Sequence, residues 1–166
     1  MRTAFADQRY ALLIGSNPGW SQDRPLRYAE NDAERMRDVL VSLGGFSPDR
    51  VELLRDPTTA EVRSSLRRLA QIAHDSNGED TLVFVYYSGH ADDTNLHLRG
   101  EPLSHRELQD TLRALPILIV TTRGDDQSRE RVLQAGASGF LAKPFTPDSI
   151  IAEVRAILPG GAESVA

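Results

Sequence analysis

Residues 81–87 read TLVFVYY and carry the strongest β-strand signal in the chain, because β-branched and aromatic side chains are enriched in strands. Two other apolar runs, YALLI at residues 10–14 and ILIV at residues 117–120, are typical of strands buried on both faces. Shorter runs at residues 51–54 and 140–141 complete the set. The sequence therefore predicts five strands.

The segments between the strands have the three- and four-residue spacing of amphipathic helices. In the first segment a core-facing stripe ends at Gly44-Gly45, and its apolar residues are Ala29, Ala33, Met36, Leu40 and Leu43. The spacing of a capping box occurs twice, at Thr58 with Glu61 and at Ser104 with Glu107. Another helix is predicted to begin at Asp125 or Asp126, and the last at Thr146, with proline at its first position.

Strands that alternate with helices predict an α/β domain with a parallel sheet and right-handed crossovers. Residues 90–102 fall outside this alternation and predict a small hairpin inserted after the third strand. We expect residues 1–166 to form one domain, with a frayed tail at residues 159–166. In such sheets the functional site lies at the carboxyl ends of the strands.

The composition narrows the possible functions. The 166 residues include no cysteine, which excludes disulfides, zinc–thiolate sites and cysteine nucleophiles, and favours a cytoplasmic protein. A net charge of −5 without any basic run argues against nucleic acid as a partner. No apolar segment is long enough for a membrane span or a signal peptide, so no membrane partner is expected. Lys143 is the only lysine among 19 basic residues.

Residues 1–115 resemble the caspase-like peptidase domain of metacaspases and bacterial caspases. The resemblance rests on YALLIGSN (10–17), LRYAENDAERMRDVL (26–40) and LVFVYYSGHADD (82–93). It implies that His90 occupies the position of the general base. The nucleophilic cysteine of that family follows the next strand, where this chain has Thr121, Thr122 and Arg123. The base position is therefore filled and the nucleophile is missing.

Residues 116–158 resemble a different family, the C-terminal part of a response-regulator receiver domain, most specifically in AGASGFLAKPF (135–145). This resemblance places the receiver hydroxyl on Thr121 and the receiver lysine on Lys143. A receiver also needs an acidic pair after its first strand and a phosphate-accepting aspartate after its third. The corresponding positions here read Gly15-Ser16-Asn17 and Tyr87-Ser88-Gly89.

Both resemblances imply a flavodoxin-like, three-layer αβα sandwich with five parallel strands in the order 2-1-3-4-5. A junction between residues 114 and 117 would leave each βα unit whole. We therefore expect an engineered chimera without catalytic activity, in which His90, Thr121 and Lys143 are vestigial. The alternative is a natural pseudo-enzyme, an atypical receiver or pseudo-caspase, that self-associates through its receiver-like last helix.

No cofactor or metal is expected. Asp92-Asp93 and Asp125-Asp126 supply oxygen ligands of the kind that hard cations prefer, but the second pair is explained equally well as a helix cap. The segment at residues 15–19 follows a strand, but it has neither the G-x-G-x-x-G pattern nor the Gly-Lys-Ser/Thr ending of a phosphate-binding loop. The other histidines, His74, His97 and His105, are interpreted as surface residues, and Trp20 as a loop residue that covers the sheet edge.

Overall fold

The computed structural model describes residues 8–76, 81–112, 118–121, 130, 133, 138–142 and 144–157. The chain divides into two compact units at the boundary between Ala114 and Leu115. This boundary falls where the sequence predicts the junction between two families.

The first unit contains a parallel sheet of three strands in the order β2-β1-β3. Its strands are β1 (Gln8–Gly15), β2 (Val51–Arg55) and β3 (Thr81–Ser88). The register places Ala11 beside Val51 on one side and beside Phe84 on the other. Residues 11–14 of β1 are each at most 1% exposed, so both faces of the central strand are covered. The predicted α/β class and the first part of the predicted strand order are confirmed.

Two helices of this unit follow the predicted periodicity. Helix α1 (Ala29–Ser42) packs on all three strands, and α2 (Thr59–Asp75) packs on β1 and β3. Thr58 and Glu61 form the predicted capping box. The expectation that Leu43 is buried is wrong, because α1 ends at Ser42 and Leu43, no longer on the helical stripe, is 66% exposed.

The predicted insertion after β3 is present as a hairpin. Strand β4 (Asn95–Leu96) pairs antiparallel with β5 (Leu103–Ser104), and helix α3 (His105–Thr111) follows directly. Ser104 caps α3 by accepting a hydrogen bond from the Glu107 amide at 3.1 Å.

The second predicted capping box is only half correct, because the Glu107 carboxylate faces a charged partner. It accepts hydrogen bonds from Arg63 Nε at 2.6 Å and Arg63 Nη2 at 3.0 Å. A bidentate guanidinium pair is stronger than a bond to a neutral backbone amide. The contact therefore ties α3 to α2 instead of closing the box.

The second unit contains a parallel pair of strands, β6 (Leu118–Thr121) and β7 (Gly139–Ala142). Helix α4 (Pro147–Ile157) packs against both strands and buries Ile150. Thr146 caps it as predicted, because its hydroxyl accepts a hydrogen bond from the Ser149 amide at 3.2 Å. The predicted adjacency of the fourth and fifth strands is confirmed. The predicted helix start at Asp125 or Asp126 lies outside the described residues.

The described part of the chain contains no helix that is both long enough and apolar enough to cross a bilayer.

Candidate functional site

His90 lies two residues beyond the end of β3, at the carboxyl edge of the sheet, where the sequence predicts the site. Its Nε2 atom is 2.8 Å from the carbonyl oxygen of Arg24. Its own carbonyl oxygen accepts hydrogen bonds from the Tyr87 hydroxyl at 2.7 Å and from the His97 amide at 2.9 Å. These contacts fix both the ring and the backbone of His90 between the β1–α1 loop, residues 16–28, and the hairpin region, residues 91–104.

His97 is the centre of a polar cluster that we call the His97 cluster: His97, Trp20, Asp23 and Asp92. Its Nδ1 atom is 2.7 Å from Asp23 Oδ2, and its Nε2 atom is 3.0 Å from Asp92 Oδ2. The imidazole stacks on the Trp20 indole, with ring centroids 3.8 Å apart and planes inclined by 9°. The interpretation of His97 as a surface residue is wrong, because its side chain lies beneath the β1–α1 loop and His97 is only 8% exposed.

Both carboxylates of the cluster are fixed by backbone amides. Asp23 Oδ2 accepts a hydrogen bond from the Trp20 amide at 2.7 Å, and Asp92 Oδ1 accepts from the amides of Thr94 and Asn95 at 2.7 and 2.8 Å. These amides, together with the bonds to His97, hold the pKa of each carboxyl below its usual value. Both side chains are therefore anions at neutral pH.

The two anions act on His97 in the opposite direction. Burial alone lowers the pKa of an imidazole, but the hydrogen bonds to Asp92 and Asp23 and the charges of these carboxylates outweigh it, so the pKa of His97 is raised. Burial also raises the pKa of Tyr87, and the charge of Asp23 adds to that effect. The cluster thus favours a positive charge on His97 and a neutral phenol on Tyr87.

The ends of β1 and β3 carry hydroxyl and amide groups. The Ser88 hydroxyl donates to Asp32 Oδ2 at 3.3 Å, and the Ser16 amide donates to the Ser88 carbonyl at 2.9 Å. Asn17 bridges to α1, because its Oδ1 atom accepts from the Ala29 amide at 2.9 Å and its Nδ2 atom donates to Glu30 at 2.8 Å. The strand ends that bear carboxylates in receivers are therefore occupied by Ser16, Asn17 and Ser88.

An open groove of about 440 Å³ borders the His97 cluster. Residues 19–22 of the β1–α1 loop form one wall, and Leu98, Arg99, Gly100 and Pro102 of the hairpin region form the other. Trp20 belongs to both the groove and the cluster. The side chain that stacks on His97 is therefore also the side chain that an occupant of this groove would contact.

The remaining predicted site residues belong to the second unit. Thr121 is the last residue of β6 and pairs with Ala142 in β7. Its register partner immediately precedes Lys143, which lies outside the described residues together with Asp125 and Asp126. Among the described residues, no three histidine, aspartate or glutamate side chains are arranged so that they could hold a metal ion. Asp92, one of the acidic residues weighed as a cation ligand, is instead bound to His97 and to residues 94–95.

Parallel strands joined by helices, with a histidine just beyond the third strand, make the described part of the chain an α/β fold with a candidate base at the carboxyl edge of its sheet. The model of the caspase domain matches residues 8–121, and the chain belongs to this family. The model of the response regulator receiver domain matches residues 103–155. Residues 103–121 lie in both matches, so the two resemblances meet around α3 and β6.

Individual relatives support both matches. Metacaspase-9 of Arabidopsis thaliana is 32% identical over 90 residues, which cover 50% of this chain and 27% of the relative. The phosphate regulon transcriptional regulatory protein PhoB of Escherichia coli (strain K12) is 30% identical over 56 residues, which cover 34% of this chain and 24% of the relative. The chain therefore spans about a quarter of the length of these curated relatives.

Among solved structures, FIXJ-N is 18% identical with a TM-score of 0.47, over 96% of this chain and 98% of the other.

The His97 cluster is the feature that sequence reasoning missed. The only local sequence feature at this position is the segment Leu96-His97-Leu98, in which a histidine separates two apolar residues. Alternation predicts that the histidine faces solvent when the leucines are buried. In the structure all three residues are buried, because the β1–α1 loop lies over the side of the hairpin region that carries His97.

Proposed function

We propose that the chain is a catalytically inactive, engineered hybrid α/β domain, in which a caspase-like part without its nucleophile continues into a receiver-like part without its phosphoacceptor. The observation that carries this proposal is the absence of cysteine from all 166 residues of a chain whose His90 aligns with the general base of the caspase-like family. The thiolate is the attacking group in cysteine peptidases, and the aligned residues Thr121, Thr122 and Arg123 supply none.

The surroundings of His90 limit which ring nitrogen could act as a base. Its Nε2 atom faces the Arg24 carbonyl at 2.8 Å, so Nε2 carries the donated proton and Nδ1 is left to accept one. A general base must reach the proton that it removes within hydrogen-bonding distance. Because the chain has no cysteine, Nδ1 has no thiol proton to remove, and the imidazole is left with its bond to the β1–α1 loop.

The strand ends support the second half of the proposal. Phosphorylation of a receiver forms an acyl phosphate on a carboxylate, and Ser88 offers a hydroxyl at the end of β3 instead. That hydroxyl is bonded to Asp32 in the first turn of α1. We therefore expect no aspartyl phosphate at this position.

Two incubations test the proposal. The chain is mixed with fluorogenic peptides that end in arginine or lysine, and separately with acetyl phosphate and Mg²⁺. We expect cleavage no faster than in buffer and no phosphorylated species by mass spectrometry. Cleavage that is lost in His90→Ala, or phosphorylation that is lost in Lys143→Ala, would overturn the proposal. Arg123→Cys returns a thiol to the aligned position, and any activity that it gains should require His90.

A natural pseudo-enzyme that acts as a docking domain is the second candidate. It is favoured by the receiver match, which continues to residue 155 and so includes most of α4, the helix expected to mediate self-association. Sedimentation over a concentration series distinguishes the two candidates, because a docking domain should dimerise as its concentration rises. A natural gene that reads without interruption through residue 116 would contradict the engineered origin.

A further inference from the structure

We propose that His97, Asp23 and Asp92 form a pH-sensitive latch, which holds the β1–α1 loop against the hairpin region while His97 is protonated and loosens the loop when the proton leaves.

The positions of the ring nitrogens carry this inference. Each nitrogen of His97 faces a carboxylate oxygen, at 2.7 Å for Asp23 and 3.0 Å for Asp92. An ionised carboxylate only accepts hydrogen bonds, and a neutral imidazole has a single N–H group. Both contacts are hydrogen bonds only if both nitrogens carry protons. The geometry is therefore that of an imidazolium, and its deprotonation places a nitrogen lone pair against an anion.

The two carboxylates belong to different segments. Asp23 lies in the β1–α1 loop and Asp92 in the hairpin region, so His97 links them. A neighbouring tie, from His90 to the Arg24 carbonyl, joins the same loop to the residue that precedes the hairpin region. The backbone bonds from Asp23 to Trp20 and from Leu26 to Asn17 remain within the loop. Loss of the Asp23 contact would consequently act on the attachment of the loop and not on its internal turns.

The titratable groups around His97 define when the latch is closed. On the loop side the group is Asp23, and on the hairpin side it is Asp92, while Arg99 is directed to the Asp56 carbonyl. The titratable groups at and just beyond the end of β3 are Tyr87, whose pKa is raised, and His90. The ring centroids of His90 and His97 are 6.4 Å apart. From α3 comes His105, whose pKa is lowered by burial. The charges of Asp92 and Asp23 favour a positive charge on His97.

The signs of the shifts give the pH window. Because the pKa of Asp23 and of Asp92 is lowered, their contribution is present above the ordinary value of 3.8 and is lost as the pH falls through the depressed pKa. Because the pKa of His97 is raised, its contribution is complete below 6.5 and is lost as the pH rises through the raised pKa. The latch is therefore closed in mildly acidic solution and opens on the alkaline side.

Trp20 reports directly on the latch, because it is the only tryptophan and it stacks on His97. A protonated imidazole in contact with an indole quenches its emission, so we expect the emission of the full chain to rise with pH, with a midpoint above 6.5. His97→Gln should abolish the transition. Asp92→Asn should lower its midpoint, and it provides a second variant should His97→Gln fail to fold.

His74→Gln is the matched control. His74 also contacts a carboxylate, Asp75, at 3.4 Å, but its side chain is 81% exposed. This variant should keep the transition of the unmodified chain. A transition that persists in a folded His97→Gln variant, or a midpoint that does not move in Asp92→Asn, would overturn the proposal.

Hydrogen exchange tests whether the loop responds. After correction for the intrinsic pH dependence of exchange, protection of amides in the β1–α1 loop should fall across the transition. The fall should approach about tenfold for each unit by which the pKa of His97 in the closed state exceeds that in the open state. Loop protection that stays constant while Trp20 emission changes would overturn the latch, because His97 would then titrate without moving the loop.

Discussion

Gly15→Ala tests how closely β1 approaches α1 next to the candidate site. A Cβ atom at this position would lie 2.6 Å from the Glu30 Cα atom and 2.7 Å from the Ala29 carbonyl oxygen. Non-bonded carbon atoms are most stable about 3.5–4.0 Å apart, so the start of α1 or the end of β1 must move by roughly 1 Å. Both obstructing atoms are backbone atoms, and no side-chain rotation relieves the contact.

The magnitude follows from this displacement. Overpacking of a close contact costs about 1–3 kcal/mol, a large share of the ~5–15 kcal/mol that stabilises an ordinary domain. With a urea slope of about 2 kcal/mol per molar, the midpoint of unfolding should fall by about 1 M. Unfolding of the first unit can be followed by the emission of Trp20 at a fixed, mildly acidic pH. Amide exchange at Ala29, whose N–H donates to Asn17, should increase in the same variant.

Gly100→Ala is the matched control, because it separates contact from backbone conformation. Gly100 has φ +96° and no atom within 4 Å of an added Cβ. Its cost of about 1–2 kcal/mol should come from the left-handed conformation and should leave exchange at Ala29 unchanged. A Gly15→Ala variant as stable as the unmodified chain would refute the reasoning.

Three further outcomes are expected. Thr58→Ala removes the hydroxyl of the capping box and should destabilise α2 by about 1 kcal/mol in urea unfolding, whereas no change would mean that the box is dispensable. Leu66→Ala empties a site that is 1% exposed and should cost about 2–5 kcal/mol, and a loss below ~1 kcal/mol would mean that the core collapses around it. The bond to Arg63 lowers the pKa of Glu107, so its contribution should be present above the ordinary value of 4.5 and disappear on acidification. Glu107→Gln should remove that part of the acid dependence of unfolding, and an unchanged pH profile would contradict this role.

The elements of the first unit follow from local patterns in the sequence. Strands β1, β2 and β3 differ from the predicted runs by one or two residues at their ends, because hydrogen-bonded pairing extends β1 back to Gln8 and carries β3 on to Ser88. The capping box of α2 was also predicted, since its bonds join residues three positions apart. Local interactions of this kind are encoded within a few residues and need no knowledge of the rest of the chain.

The site was only partly predicted. The position of His90 beyond β3 followed from the order of strands and from the family resemblance. The burial of His97 did not follow from the sequence, in which the spacing of His74, His97 and His105 suggests no shared site. The same limit appears at Glu107, where a partner from another helix replaces the contact expected from spacing.

The sequence by itself determined the alternation of strands and helices, the meeting of two family resemblances and the absence of a cysteine nucleophile. Tertiary structure decided which polar groups share one site. Asp23 and His97 are 74 residues apart in sequence, yet their side chains meet at 2.7 Å. Periodicity records which face of an element is apolar, but it does not record which distant loop covers that face. Asp23 of that covering loop joins Asp92 in raising the pKa of His97, and its share could be inferred only once the chain was folded.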